Sequence, residues 1–215
     1  MLSIIQAAGW PIWPLIACSI LALALVFERF VALKKARVAP PKLLDEAISV
    51  SSKSVPTPDV VAQLAQNSAL GEVLASGLRL LNANPKASDE SIRVTLEASG
   101  RQAAAKLERY LPALATIASA APLLGLLGTV IGMIAIFGSQ APTTGGVSGN
   151  PAELAHGISI ALYNTAFGLI VAIPALIFWR YFRARVDNYL LTMELGTARF
   201  ERHLIALRNT AGSHK

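Results

Sequence analysis

Thr129 and Thr165 place hydroxyls inside long apolar stretches, each on a face of otherwise small residues. Thr129 lines up with Ala118, Pro122, Gly125 and Gly132 at spacings of four, three, four and three, which is one side of a helix. Thr165 lines up in the same rhythm with Ala161, Gly168, Ala172 and Ala175, with Asn164 beside it. Two readings of these faces stay open. Small residues let membrane helices approach closely, with Thr and Asn bonding across the contact. The same small, weakly polar faces could line a passage or seat another helix. Neither stretch contains Asp, Glu, Lys, Arg or His, and proton pathways through a membrane generally need an ionisable group. If this chain helps to move protons, another subunit must bring the carboxylate. Glu153 and His156 stand at the mouth of the hairpin. His156 could titrate near neutral pH, but it reads as a solvated loop histidine.

Other chemistry finds little support. One cysteine excludes a disulfide framework and any multi-cysteine metal site. Cys18 reads as an ordinary lipid- or helix-facing residue. Three histidines far apart in sequence make no metal cluster, and no cofactor is implied. GxSxG, HExxH, P-loop and dinucleotide fingerprints are absent. Gly125-Leu126-Leu127-Gly128-Thr129 is glycine-rich but lies in an apolar span, so it does not cradle phosphate. No basic patch interleaved with aromatics appears, which speaks against nucleic acid.

These faces need membrane helices to position them. Of 215 residues, 53% are hydrophobic and 15% charged, against about 25% charged in a soluble domain. Residues 2–27, 110–152 and 154–179 carry no Asp, Glu, Lys or Arg. Each holds a run near the roughly 20 residues that cross a bilayer. Spans are predicted at 10–27, 111–137 and 158–179. The Gly-, Pro-, Ser- and Thr-rich segment between the last two predicts a hairpin with a short loop at 138–157. The first run has no Lys or Arg before it and keeps Cys18 in its middle, which argues against a cleaved signal peptide.

The charges set the orientation. Twelve of the 19 Lys and Arg fall in 28–109 and the other seven in 180–215. The positive-inside rule then places both regions in the cytoplasm, and the N-terminus and hairpin loop outside. Glu153 is the one charge outside, so the formal net charge of +6 is a topology signal. Trp10 and Trp13 suit the outer interface, and Tyr110, Trp179 and Tyr181 the inner one.

The organisation read from this is an outer N-terminus and first span at 1–27, a cytoplasmic helical region at 28–109, a membrane hairpin at 110–179 and a cytoplasmic helix and tail at 180–215. Within the cytoplasmic parts, a proline- and serine-rich linker surrounds a short helix at 41–50. A second helix is predicted at 59–82. Ser88 starts a third that runs into the second span, because no proline interrupts before Pro112. The third span is expected to continue to about Leu207. Alternating charges on these helices, such as Glu97, Arg101, Glu108 and Arg109, read as solvated ion pairs or as a docking face.

Ala121-Pro122-Leu123-Leu124-Gly125-Leu126-Leu127-Gly128-Thr129-Val130-Ile131-Gly132 resembles the APxxGLxGTVxGM signature of the MotA/TolQ/ExbB proton-channel family. The run from Gly157 to Leu162, with Thr165-Ala166-Phe167-Gly168-Leu169 and Ala172-Ile173-Pro174-Ala175, resembles its GIxxALxxTAxGLxxAIPA segment. The resemblance covers residues 107–185 in sequence and the whole chain in layout, and its short outer loop is most like the ExbB and TolQ branches. It implies an all-α homo-pentamer in the bacterial inner membrane, with three transmembrane helices and long cytoplasmic helical extensions. The second and third spans would line a central pore holding single-span ExbD- or TolR-like partners, whose aspartate carries the protons. A TonB- or TolA-like protein spanning the periplasm would receive the work. Thr129 and Thr165 match the family's pore threonines, and Gly125, Gly132, Gly168, Pro122 and Ala172 would shape the wall. One position departs: Ile160 stands where these branches often carry glutamate, and isoleucine cannot titrate. A non-conducting scaffold is the alternative from another class.

Overall fold

The computed structural model describes residues 10–52, 54–139 and 151–213; at 139, 151–154, 156, 160 and 210–213 it describes the backbone alone. Regular structure among the described residues is entirely α-helical. The helices are α1 Ile12–Ala32, α2 Lys35–Val38, α3 Leu43–Val50, α4 Pro58–Asn67, α5 Ala69–Ala83, α6 Asp89–Glu108, α7 Leu111–Ser139 and α8 Pro151–Ser213. Stretches in α1, in α6–α7 and in α8 are long and apolar enough to cross a membrane, as the all-α, three-span reading expects. Two compact units emerge: an apolar one of Met1–Glu28 and Tyr110–Tyr181, and a charged one of Arg29–Arg109 and Phe182–Lys215.

The apolar unit is built on small residues. Leu15, Ala121 and Ala172 bury one another, with Leu124, Phe167 and Val171 packed around them. Its outer surface carries Trp13, Ile20, Leu123, Ile134, Ile170 and Ile177, each more than half exposed. Water would not tolerate so continuous an apolar belt, whereas lipid tails cover it without a hydration penalty. α7 runs through Pro122 and α8 through Pro174 without ending; proline in a membrane helix is tolerated where neighbours re-satisfy the freed carbonyl.

The charged unit has a conventional core. Leu74, Leu78 and Leu81 of α5, Ile92 and Leu96 of α6, and Phe200 and Leu204 of α8 are all fully buried. Burying each such side chain stabilises by about 1.5–3 kcal/mol. Its rim is held by exposed ion pairs, including Lys106–Glu72, Arg183–Glu108 and Arg199–Asp45. On α6, the hydrogen bond and charge of Glu90 push the Arg93 guanidinium further above its ordinary value, and Glu97 adds to this. Ser51, buried at the end of α3, donates to the Ala47 carbonyl at 2.6 Å and lies 2.8 Å from Nε2 of His203 on α8.

Several boundaries differ from the sequence expectation. The helix expected at 59–82 is two helices. Ser68 is extended (φ −163°, ψ 170°), and its hydroxyl caps α5 by accepting from the Gly71 amide at 3.1 Å. The helix expected to run unbroken from Ser88 into the second span stops at Glu108 and resumes at Leu111. Pro112 explains the interruption: it has no N–H for the Glu108 carbonyl, and its ring would clash there. The carbonyl just before, that of Leu107, accepts instead from Nη1 of buried Arg29 at 2.8 Å. The first span was expected at 10–27, but α1 begins at Ile12 and runs to Ala32, past Glu28 and Arg29. The short helix expected at 41–50 starts at Leu43, and α2 precedes it. The loop expected at 138–157 is already helical from Pro151, and residues 140–150 lie outside the described residues.

Candidate functional site

α7 and α8 meet along their small residues. A Cβ added at Gly125 would stand 2.7 Å from the Asn164 backbone oxygen and 3.0 Å from the Thr165 Cα. One added at Gly168 would stand 2.7 Å from the Ala121 oxygen. A Cβ at Gly128 would meet the Asn164 side chain at 2.8 Å, and one at Gly132 the Ala161 Cβ at 3.3 Å. At the far end of the seam, a Cβ at Gly157 would meet the Ile136 side chain. The sequence permits this approach because Gly125, Gly128, Gly132, Gly157 and Gly168 carry no Cβ.

The seam is not quite the face drawn from spacing. Its centre on α7 runs through Ala118, Ala121, Gly125, Gly128 and Gly132, so Ala121 and Gly128 stand where Pro122 and Thr129 were expected. On α8 the buried line is Ala161, Asn164, Gly168, Ala172 and Ala175, with Asn164 in the place of Thr165. Asn164 is 2% exposed. Pro122, Thr129 and Thr165 are half-buried, at the edges of the seam. Spacing could not choose between adjacent registers, since both faces are rich in small residues. Ala121 and Gly128 were missed for that reason, although Gly128 stands inside the glycine-rich GLLGT run.

The structure therefore brings Gly125, Gly132, Gly168, Ala161, Asn164 and the Thr165 backbone together, and Ala172 joins them through the core with Leu15. It does not join the two hydroxyls. Thr129 Oγ1 donates at 2.7 Å to the Leu126 carbonyl of its own helix. That leaves its lone pairs able to accept from a group outside the protomer. Thr116, Ser119 and Ser159 bond back to their own helices in the same way. The Thr165 hydroxyl has no hydrogen-bond partner among the described residues. Thr129 also lines an open apolar hollow with Val130, Met133, Ile134 and Phe137. Apart from Glu153 and His156, residues 111–179 contain no Asp, Glu, Lys, Arg or His. Glu153, His156 and Ile160 have side chains outside the described residues.

Comparison with known proteins places this arrangement. A family model described as the MotA/TolQ/ExbB proton channel family matches residues 65–195. The "Putative biopolymer transport protein ExbB-like 1" of Synechocystis sp. is 34% identical over 172 residues, covering 80% of this chain and 66% of that protein. The "Biopolymer transport protein exbB1" of Vibrio cholerae is 34% identical over 174 residues, covering 79% of this chain and 73% of that protein. The "Tol-Pal system protein TolQ" of Pseudomonas aeruginosa is 44% identical over 82 residues, covering 38% of this chain and 34% of that protein.

Proposed function

The chain belongs to the MotA/TolQ/ExbB proton channel family, and from that premise we propose that it is an ExbB-like stator subunit of a proton-driven motor. Five copies would surround a pore in the bacterial inner membrane, with both charged regions on the cytoplasmic side. A single-span ExbD- or TolR-like partner would occupy the pore and supply the proton-carrying carboxylate. A TonB-like protein would take up the mechanical work for import across the outer membrane.

The observation that carries the reading is the pairing of hydroxyls with missing charge. Thr165 has a half-buried hydroxyl without a hydrogen-bond partner among the described residues, and Thr129 has spare acceptor capacity. A polar group at membrane depth is costly unless something bonds it. A carboxylate, or water beside it, on a neighbouring helix is a fitting partner. The Gly125–Gly168 seam makes the hairpin rigid, so those hydroxyls would hold still while the partner moves. Gly125, Gly132, Gly168, Ala161, Asn164 and Ala172 would then act as the frame of the pore wall, and Pro122 as its edge.

The ExbB branch draws on two ExbB-named relatives that align with about four-fifths of this chain, while other ExbB-named proteins align with about two-fifths. A TolQ-like role in envelope constriction draws on the shorter but more similar match to a TolQ protein. Replacing Thr129 and Thr165 together by valine tests the assignment, because valine keeps the volume and removes the hydroxyls. Partner-dependent work should collapse while the mass of the purified complex stays that of the pentamer with its partner. Wild-type work from an assembled double variant would overturn the hydroxyl assignment. A lone monomer or trimer in the wild type would overturn the pore.

A further inference from the structure

We propose that Lys34, Lys35 and Arg37 form a docking surface for the phosphate headgroups of anionic lipids at the end of α1. Their place in the chain comes first. α1 ends at Ala32, and the three cations follow two to five residues later. At about 1.5–3.3 Å per residue, they lie within roughly 15 Å of that end, in reach of the polar layer that flanks the hydrocarbon core.

Their partners come second. Arg93, Arg101, Lys106, Arg183, Arg199 and Arg208 are each paired with a carboxylate. Lys34, Lys35 and Arg37 are exposed and have no ion pair among the described residues. Lys42, Arg79, Lys86, Arg180 and Arg202 also lack one, but each stands singly. Three unneutralised cations within four residues make a local field that phosphate oxygens complement.

The turn that carries them is fixed, which is the third observation. Leu33, Val38 and Ala39 on either side are 3%, 1% and 4% exposed. The Tyr189 hydroxyl donates to the Leu33 carbonyl at 3.0 Å. Arg185 Nη2 donates to that hydroxyl at 3.2 Å. The amides of Arg37 and Val38 close the turn onto the Lys34 carbonyl. A fixed backbone loses little freedom when a headgroup binds. Lipid docked here would set the depth of α1 in the bilayer.

The test is native mass spectrometry of the purified full chain in detergent, titrated with phosphatidylglycerol and, separately, phosphatidylcholine. Each juxtamembrane cation contributes about fivefold in affinity for an anionic surface, so Lys34→Gln/Lys35→Gln/Arg37→Gln should weaken phosphatidylglycerol binding by about a hundredfold. Arg202→Gln, which removes a single exposed cation elsewhere, should leave it unchanged. Phosphatidylcholine should bind no better to the wild type than to the triple variant, and millimolar inorganic phosphate should displace no lipid. The proposal fails if the triple variant binds phosphatidylglycerol as the wild type does, or if Arg202→Gln loses as much. It fails too if inorganic phosphate displaces the lipid, since the surface would then serve free phosphate.

Discussion

Gly125→Ala and Gly100→Ala should move stability in opposite directions, although both put one methyl on a helix glycine. At Gly125 the new Cβ would stand 2.7 Å from the Asn164 oxygen and 3.0 Å from the Thr165 Cα. Attractive carbon contacts need about 3.5–4.0 Å, so the two helices must part by roughly half an ångström or more. Both obstructing atoms are backbone, and no side-chain rotation can relieve them. Overpacking of this kind costs about 1–3 kcal/mol. Alanine's better helix propensity returns up to about 1 kcal/mol. The steric term wins, leaving a net loss of about 1–2 kcal/mol, larger if parting the seam also loosens Gly128 from Asn164 and Gly132 from Ala161. At Gly100 nothing lies within 4 Å of the added carbon, so only the propensity gain of about 0.5–1 kcal/mol remains. Thermal unfolding in detergent, followed by circular dichroism, reads the difference. At about 2–4 °C per kcal/mol for a chain of this size, Gly125→Ala should melt about 2–8 °C lower and Gly100→Ala about 1–4 °C higher. An unchanged Tm for Gly125→Ala, or shifts of the same sign in both variants, would refute the backbone-contact seam.

Three further substitutions probe the charged unit by the same assay. Arg29→Met removes the bond to the Leu107 carbonyl at the α6–α7 interruption; losing a charged donor to a buried carbonyl should cost about 2–3 kcal/mol. Tyr189→Phe removes the bond to the Leu33 carbonyl and should cost about 1 kcal/mol. Ser68→Ala removes the cap of α5 and should cost about 1 kcal/mol, whereas a single continuous helix over 59–82 would gain from that change.

The long features were legible in the sequence because they rest on composition. Three charge-free stretches gave three membrane-length helices, and the GLLGT and TAFGL motifs gave the family. The misplaced features rest on competition between neighbours a few residues apart. Ser68 breaks a pattern that hydrophobic spacing would continue, because its hydroxyl offers the next amides a better partner than the preceding turn. Pro112 marks no break before its own position in the sequence pattern, but its missing N–H acts four residues earlier, at Glu108. The seam shows the same limit. Ala121 against Pro122 and Asn164 against Thr165 differ by one step of 100° around the helix. Only the facing helix decides which of them is buried. That single step moves both threonines from the packed centre of the seam to its edge.

The central claim is that this chain builds the wall and leaves the proton-carrying group to another subunit. Proton uptake into liposomes under an imposed pH gradient tests it most directly, comparing the chain alone with the chain plus its single-span partner. The account predicts no uptake above the lipid background for the chain alone, and uptake that appears with the partner. Uptake by the chain alone at the rate of the complex would contradict it.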